Sequence, residues 1–462
     1  MKQLSLGILI LLVFAVSCKR DDLMPGVQPV TIIAKVNYDA SNKDYGFPLS
    51  NISVTLKNTS TNSSLSQSTD NSGIAIFNSV TPGVYNIEAT FKITKADYEN
   101  KTGVVINHDE VVFNAVLNNV TLNSTTSNTL ELPLSTGKIG DWVIKQIYYE
   151  GSGTNGAAFR DQFIEIYNNS NDTLFADSLY FGQLAGTGST AASIDLAKGY
   201  YISDQGNILY KQFDWSKSLN MPATIGPSAN NNFVYIKSLY RIPGNGSDVP
   251  VAPGKSIVIA ASAQNHQAAY VGADGKEISA KDPSLTLDLS KANFEVYLRD
   301  LITNPYPSDV DNANIKNVVV CETGGDRDLI LDLTGRDAYF IFKSDRPFPA
   351  YGQPANPNSY PKYPDPSVTA ITATTDLYYQ VPNSIIIDAV QIQNTIVNNR
   401  HPRKLVAALD GGVTNVPGGL YSSQSAIRKT SKIINGRVVL MDTNNSSNDF
   451  DYLPKAAVGA FK

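Results

Sequence analysis

The sequence predicts an all-β protein built from two β-sandwich units. Apolar and polar residues alternate over short runs that Gly, Pro, Asn and Ser interrupt, a pattern typical of strands and turns. The 462 residues include 32 Gly and 24 Pro but only 17% charged residues, against roughly 25% in average soluble domains. This composition excludes a coiled coil, a collagen-like chain, a protein with several membrane spans and a basic nucleic-acid binder. The formal net charge of −5 provides no attraction to phosphate backbones.

The N-terminus has the pattern of an export signal. Lys2 precedes an apolar segment, residues 6–16, that is shorter than the about 20 residues of a membrane span. Residues 14–18 read Phe-Ala-Val-Ser-Cys and resemble a bacterial lipobox, in which the cysteine becomes the lipidated first residue. The resemblance implies a signal peptide over 1–17, lipidation of Cys18 and a tether over 18–29.

The residues after Cys18 resemble the surface-export signal of Bacteroidota lipoproteins, namely Lys19, Arg20, Asp21 and Asp22. The alternative interpretation is a solvated tether without a signal. With the lipobox, this resemblance implies an outer-membrane protein that is lipid-anchored and exposed on the cell surface.

Cysteine usage leaves packing as the source of stability. If Cys18 carries lipid, Cys321 is the other of the two cysteines, and no intramolecular disulfide can form. Cys321 follows a run of three valines typical of a buried strand. We predict that Cys321 is a small core residue.

The first unit spans residues 30–118. Its candidate strands are 30–36, 52–56, 74–77, 84–89, 104–106 and 111–117. Pro82 and Gly83 suit positions i+1 and i+2 of a type II turn. Residues 69–87 resemble the prealbumin-like, or Cna-B-like, repeat domains, which implies a small sandwich, and a linker with one further candidate strand follows over 119–138.

Some Cna-B-like relatives cross-link a Lys to an Asn with the help of a Glu. Lys35 and Glu88 are the candidates in this chain, but Glu88 lies three positions after Tyr85 and therefore points to the opposite face of the strand. We predict that both are exposed strand residues and that no cross-link forms.

The second unit spans residues 139–462. Residues 151–156 match G-x-G-x-x-G, but a β-rich run follows where a dinucleotide-binding fold needs a helix. Residues 161–170, 179–182, 251–259 and 385–390 resemble successive strands of a lamin-tail-type domain. That resemblance implies an immunoglobulin-like sandwich without catalytic residues of its own, here with a long insertion over about 263–383.

The C-terminal segment, residues 428–450, is similar to an uncharacterised family of Bacteroidota surface lipoproteins. That family pairs such a tail with an N-terminal prealbumin-like domain, and its members often accompany outer-membrane importers. The resemblance therefore implies an importer of the TonB-dependent type as a partner.

The insertion contains a proline-rich stretch, residues 346–366, with four aromatic residues: Phe348, Tyr351, Tyr360 and Tyr363. We expect a surface segment that covers a sheet edge, a role that suits proline because it offers no N–H. The alternative is a ligand-binding edge, because exposed Tyr gives a large contact area with few torsions to fix.

Candidate catalytic and metal residues are sparse. His108, His266 and His401 lack the spacing of a metal motif, and we expect no metal site and no cofactor. We interpret the paired carboxylates Asp309/Asp311 and Asp326/Asp328 as turn residues, with calcium binding or general acid–base chemistry as the alternative. Thr173 and Ser178 lie in short motifs that resemble the O-glycosylation sites of Bacteroidota exported proteins.

These observations favour a non-enzymatic surface lipoprotein that captures a ligand or assists an importer. The ligand could be a glycan, a peptide, a metal complex or haem, and nucleic acid is not expected. A structural or adhesive display module is the second interpretation, and a glycan-degrading enzyme is the third.

Overall fold

The computed structural model describes residues 28–39, 45–102, 110–125, 128–136, 142–170, 172–202, 211–434 and 436–462. The predicted signal peptide, the lipidation site Cys18 and the export signal Lys19, Arg20, Asp21 and Asp22 lie outside the described residues, as does His108.

Strands provide most of the regular structure, which confirms the all-β prediction. In chain order they are β1 Val30–Tyr38, β2 Ser53–Asn58, β3 Ser64–Ser68, β4 Ile74–Val80, β5 Gly83–Thr94, β6 Glu110–Leu122, β7 Thr129–Leu134, β8 Trp142–Tyr148, β9 Phe163–Asn168, β10 Leu174–Phe175, β11 Tyr180–Leu184, β12 Phe233–Arg241, β13 Pro250–Val251, β14 Ser256–Ala260, β15 Tyr270–Val271, β16 Glu277–Ile278, β17 Phe294–Glu295, β18 Lys316–Asn317, β19 Val319–Thr323, β20 Ala338–Phe342, β21 Lys362–Tyr363, β22 Tyr378–Pro382, β23 Ile386–Gln391, β24 Ser425–Arg428, β25 Thr430–Ile434, β26 Arg437–Leu440 and β27 Phe450–Leu453.

Helices are short throughout the described ranges. The α-helices are α1 Lys95–Thr102, α2 Ser228–Asn231 and α3 Ser446–Asp449. Single 3-10 turns are Ala191–Ser193, Leu196–Lys198, Trp215–Lys217, Pro283–Leu285, Asn383–Ile385 and Val397–Asn399. Within the described ranges, no helix has the length and apolarity needed to cross a bilayer.

The first sandwich packs two sheets around one core. One sheet has the order β4-β1-β7 and the other β3-β2-β5-β6. Strict alternation in β1 places Ile32, Ala34 and Val36 in the core. Strand β7, which comes from the segment expected to join the two units, pairs parallel with β1. Strand β3 is exposed along its length and has one apolar residue, Leu65, so it carries no hydrophobic alternation that would predict it.

The second sandwich also packs two sheets face to face. One sheet has the order β18-β17-β14-β9-β8-β24-β27, and the other β21-β22-β12-β11-β20-β23 with β19 paired to β12. The segment compared with the lamin tail contains β9, which pairs with β14 from the Pro253-Gly254 turn. The predicted insertion over 263–383 supplies strands to both sheets, β17 and β18 to one and β19 to β22 to the other.

Asp388 connects the two sheets of the second sandwich. Its carboxylate accepts the backbone N–H of Ile144 on β8 at 2.6 Å and an N–H of Arg428 on β24 at 2.6 Å. Asp442 and Asp449 also pair with the buried Arg428 guanidinium. This arrangement explains why a carboxylate interrupts the apolar strand β23.

The sheet that contains β11, β12 and β20 is buried on both faces. In β20, Tyr339 and Ile341 face the core between the sheets, whereas Phe340 and Phe342 belong to a separate apolar cluster on the outer face. A strand that is apolar on both faces must be covered on both. Residues from the proline-rich stretch supply part of that outer cover.

Strand β6 of the first sandwich contacts the second sandwich. Val116 on β6 is buried with Ile202, Val406 and Ala407, and the side-chain amide of Asn114 donates to the carbonyl of Thr443. The same sheet carries Glu88, which is half-buried. Burial raises the pKa of Glu88, and Lys57 and Arg403 partly offset this effect.

The prediction of an exposed position is therefore confirmed for Lys35 and wrong for Glu88. Lys35 is exposed and forms an ion pair with Glu131 at 3.1 Å. The expectation that Glu88 is exposed is wrong, because the outer face of its sheet lies toward the second sandwich.

Candidate functional site

The proline-rich stretch lies against the outer face of the second sandwich. We call residues 346–366 the strap. Phe348, Tyr360 and Tyr363 are 4%, 8% and 7% exposed, which fits the expected cover, and the alternative of exposed, ligand-binding rings is wrong for these three residues. The Phe348 ring lies 5.0 Å from those of Tyr180 and Tyr379. These rings are buried because the apolar outer face of the sheet requires a cover.

Tyr351 is the aromatic residue of the strap that remains exposed, at 36%. Its backbone N–H donates to the carbonyl of Val320 on β19 at 2.8 Å. This hydrogen bond fixes the strap to the sheet at the point where the ring reaches solvent. The structure therefore holds Tyr351 in place by its backbone and leaves its side chain available.

Two cavities lie beside Tyr351 in the described part of the chain. The first has a volume of about 400 Å³ and is lined mainly by the strap, whereas the second has a volume of about 470 Å³ and is lined mainly by β11, β12, β19 and the segment before β22. Tyr351, Glu322 and Lys362 line both cavities. We call the two together the strap groove.

Ion pairs line the strap groove. Lys362 pairs with Glu322, and its ammonium lies 4.2 Å from the centre of the Tyr379 ring. Lys237 pairs with Asp326 at 3.0 Å, and Lys404 pairs with Asp337 in a nearly buried position. Each lysine that lines the groove therefore lies beside a carboxylate, which neutralises its charge.

The pKa of Lys237 follows from these neighbours. Burial by itself lowers the pKa of this lysine, but Asp337 and Asp326 more than compensate, so the net shift is upward. Burial also raises the pKa of Asp326, with Lys237 opposing the shift. Lys237 consequently stays protonated over the physiological range, as a donor at the edge of the groove.

The paired carboxylates of the sequence do not form a catalytic pair in the groove. Asp309 and Asp328 are buried, and Asp309 accepts the backbone N–H of Leu298 at 3.0 Å. Asp311 accepts the side-chain amide of Asn317 at 2.7 Å. Asp326 adjoins the groove but is bound to Lys237.

Histidine and cysteine occupy structural positions. His266 is buried, and burial lowers its pKa to about 4. His401 lies near Arg336, Asp332 and Lys404, and burial lowers its pKa as well. Within the described ranges, no three His, Cys, Asp or Glu side chains lie close enough to hold a metal ion. Cys321 is buried, as predicted, and burial raises the pKa of its thiol to about 12.

The two candidate glycosylation sites differ in accessibility. Thr173 is exposed, whereas Ser178 is half-buried with φ of 58°. The carboxylate before Ser178, Asp177, is buried and accepts the backbone N–H groups of Asp248 and Val249 at 3.0 and 2.9 Å.

Sequence reasoning missed the charged residues of the groove, Glu322, Lys362, Lys237, Lys404 and Asp337. They come from distant parts of the chain, so no local spacing relates them. One signal was available: the uninterrupted apolar run Ala338–Phe342 requires a cover on both faces of its strand.

The chain is thus an all-β protein of two sandwiches with a groove under a proline-rich strap. Residues 252–456 match the family model DUF4876, described as a protein of unknown function. No curated protein matches this chain.

Solved structures provide a second comparison. A DUF4876 family protein from Bacteroides thetaiotaomicron is 23% identical, with 92% of this chain and 95% of that chain covered and a TM-score of 0.50. BcpA, the major pilin subunit of Bacillus cereus, is 10% identical, with 80% and 96% covered and a TM-score of 0.14, which is too distant to inform the fold. The family match and the first structure support the expected likeness to an uncharacterised family found in Bacteroidota.

Proposed function

We propose that this chain is a non-enzymatic lipoprotein of the outer-membrane surface that captures a ligand in the strap groove. The observation that carries the proposal is the position of Tyr351, which is fixed by its backbone and exposed between the two cavities. Clefts of about 300–1,000 Å³ with aromatic side chains and a few placed polar groups are typical ligand sites.

The charges of the groove favour binding over catalysis. A general acid or base must reach the proton that it transfers, yet Asp309 and Asp328 are buried and Asp326 is engaged by Lys237. The lysines of the groove are paired in the same way, so none is a free nucleophile. This arrangement suits recognition of a ligand that leaves unchanged.

The anchor and the partner follow from the sequence. The lipobox-like residues 14–18 favour lipidation of Cys18, and Lys19 to Asp22 favour export to the surface. The two sandwiches resemble prealbumin-like and lamin-tail-type domains. In this proposal they are rigid modules that hold the groove away from the membrane. An importer of the TonB-dependent type is the partner that would take up the captured ligand.

Blocking the groove tests ligand capture. Ala355 is exposed and lines the first cavity, so Ala355→Trp fills it without disturbing the core. We expect Ala355→Trp to abolish saturable binding in a screen of glycans, peptides, metal chelates and haem, with the thermal midpoint unchanged. Ala96→Trp, at an exposed alanine of α1, is the matched control and should bind as the natural chain does. Equal binding by both variants, or no binding by the natural chain, would refute ligand capture in the groove.

Mass spectrometry of the membrane fraction tests the anchor. We expect the mature chain to begin at a diacylated Cys18, and Cys18→Ala to release the protein from the membrane. An unmodified N-terminus at another residue would exclude the lipid anchor and leave the groove proposal standing.

A further inference from the structure

We infer that the strap groove binds a neutral oligosaccharide, an inference that rests on the ligand capture proposed above. Three features of the groove select this chemistry: paired charges, one exposed ring and an edge that cannot accept a peptide strand.

The pairing of the groove lysines disfavours an anionic ligand. Lys362 with Glu322 and Lys237 with Asp326 place an ammonium and a carboxylate side by side, with each side chain still 21–30% exposed. An anionic ligand would have to displace the carboxylate that already pairs with each lysine, and Asp376, an exposed residue that also lines the second cavity, would repel it. A hydroxyl group, by contrast, accepts from the ammonium and donates to the carboxylate at once, so neighbouring sugar hydroxyls match these pairs.

The exposed ring provides the second contact that a sugar needs. Tyr351 lines both cavities, so a chain of sugar units that extends from one cavity to the other passes over its ring. The face of an aromatic ring is electronegative and packs against the C–H groups of a pyranose. Because the backbone of Tyr351 is fixed to Val320, little backbone freedom is lost on binding.

The edge of the sheet disfavours a peptide. A peptide strand adds to a sheet through free backbone groups at the edge, but β21 contains only Lys362 and Tyr363. Pro361 and Pro364 flank it and have no N–H to donate. Haem is disfavoured as well, because neither His nor Met occurs among the described residues that line the groove.

Calorimetric titration of the mature full-length chain tests the inference. The probes are neutral hexasaccharides of the maltose, cellulose, xylan and mannan types, with hexagalacturonate, an unstructured hexapeptide and haemin for comparison. We expect at least one neutral hexasaccharide to bind with Kd below about 1 mM. Because the ligand is uncharged, Kd should change less than about twofold between roughly 50 and roughly 500 mM NaCl.

Variants locate the binding site. Tyr351→Ala should weaken binding by at least about tenfold, whereas Tyr45→Ala, at a tyrosine of similar exposure in the first sandwich (40%), should have no effect. Glu322→Gln should also weaken binding, because it replaces one of the two acceptor oxygens with an NH₂ donor and removes the negative charge.

The outcomes separate this inference from the proposed function. If hexagalacturonate, the peptide or haemin binds in a manner that Ala355→Trp abolishes and no neutral sugar does, the oligosaccharide is wrong and ligand capture stands. If no probe binds, both are overturned. Sugar binding that Tyr351→Ala leaves intact would exclude the groove as the sugar site.

Discussion

At the residue scale, Glu150 shows how burial determines the protonation state of a side chain. It follows β8 and is almost fully buried, and its Oε2 atom has no hydrogen-bond partner among the described residues. Burial raises the pKa of Glu150 to about 8, although a hydrogen bond from Tyr149 opposes the shift. The carboxyl group is therefore neutral at mildly acidic pH, and it must ionise inside the protein as the pH rises.

We predict that Glu150 makes the fold less stable at alkaline pH. Because its folded-state pKa lies above the unfolded value, its stabilising contribution is present below about pH 4.5 and is lost as the pH rises through about 8. The unfolding free energy of Glu150→Gln minus that of the natural chain should therefore be about 1–3 kcal/mol larger at pH 8 than at pH 5. Urea unfolding at both pH values measures this, and Glu110→Gln, at an exposed position, is the control. An equal pH slope in both variants would contradict the prediction.

Accessibility also separates the two candidate glycosylation sites. Thr173 is exposed, while Asp177 and Ser178 are held in a hydrogen-bonded turn. We predict modification of Thr173 and none of Ser178 in protein that is purified from a Bacteroidota host. Thr173→Ala should remove the added glycan mass in intact-mass spectra, and Ser178→Ala should retain it. A glycan on Ser178 of the folded protein would contradict the prediction.

At the element scale, the strap is part of the core of the second sandwich. Phe348 and Tyr360 complete the apolar cluster on the outer face of the sheet, whereas Tyr351 lies outside it. The strap therefore combines two roles, a cover for the sheet and a support for the groove. Deleting it would expose the outer face of β20, so point substitutions are the appropriate probes of the groove.

We predict stability costs of very different size for two aromatic residues of the strap. Phe348→Ala leaves a cavity in the outer cluster and should cost about 3–5 kcal/mol of unfolding free energy. Tyr351→Ala removes an exposed ring and should cost less than about 0.5 kcal/mol. Chemical denaturation of both variants measures the difference. Similar costs for the two would mean that the strap does not cover the sheet as described.

At the scale of the whole molecule, the two sandwiches are in contact through β6. Val116 of the first sandwich packs against Val406, and Asn114 donates to the carbonyl of Thr443. Lys404, two residues before Val406, lines the strap groove. The contact is therefore adjacent to the groove but separate from its lining.

We predict that Val116→Asp loosens this contact without unfolding either sandwich, because it places an unpaired charge among Ile202, Val406 and Ala407. Hydrogen exchange should accelerate by about tenfold or more over residues 402–413 and 443–445, with β9 and β14 unchanged. Val271→Asp, at an exposed valine, is the control. Uniform acceleration across both sandwiches would instead indicate global destabilisation.

Particular elements show what could be predicted from sequence. Strand β9 was predictable because its β-branched and aromatic residues lie between turn signals, and the burial of Cys321 was predictable because three valines precede it. The burial of Phe348, Tyr360 and Tyr363 was not, since proline-rich segments with tyrosines occur both as covers and as binding edges. The pairing of Lys362 with Glu322 joins residues 40 positions apart, and no spacing rule encodes it.

The amino-acid sequence by itself determined the all-β class, the buried position of Cys321 and the absence of a helix after the glycine-rich turn, because alternation and turn chemistry act over a few residues. Only the tertiary structure decided which aromatic side chain of the strap stays in solvent, which lysines meet which carboxylates, and that residues 263–383 belong to both sheets. Those features depend on long-range strand pairing and on the need to cover a sheet that is apolar on both faces.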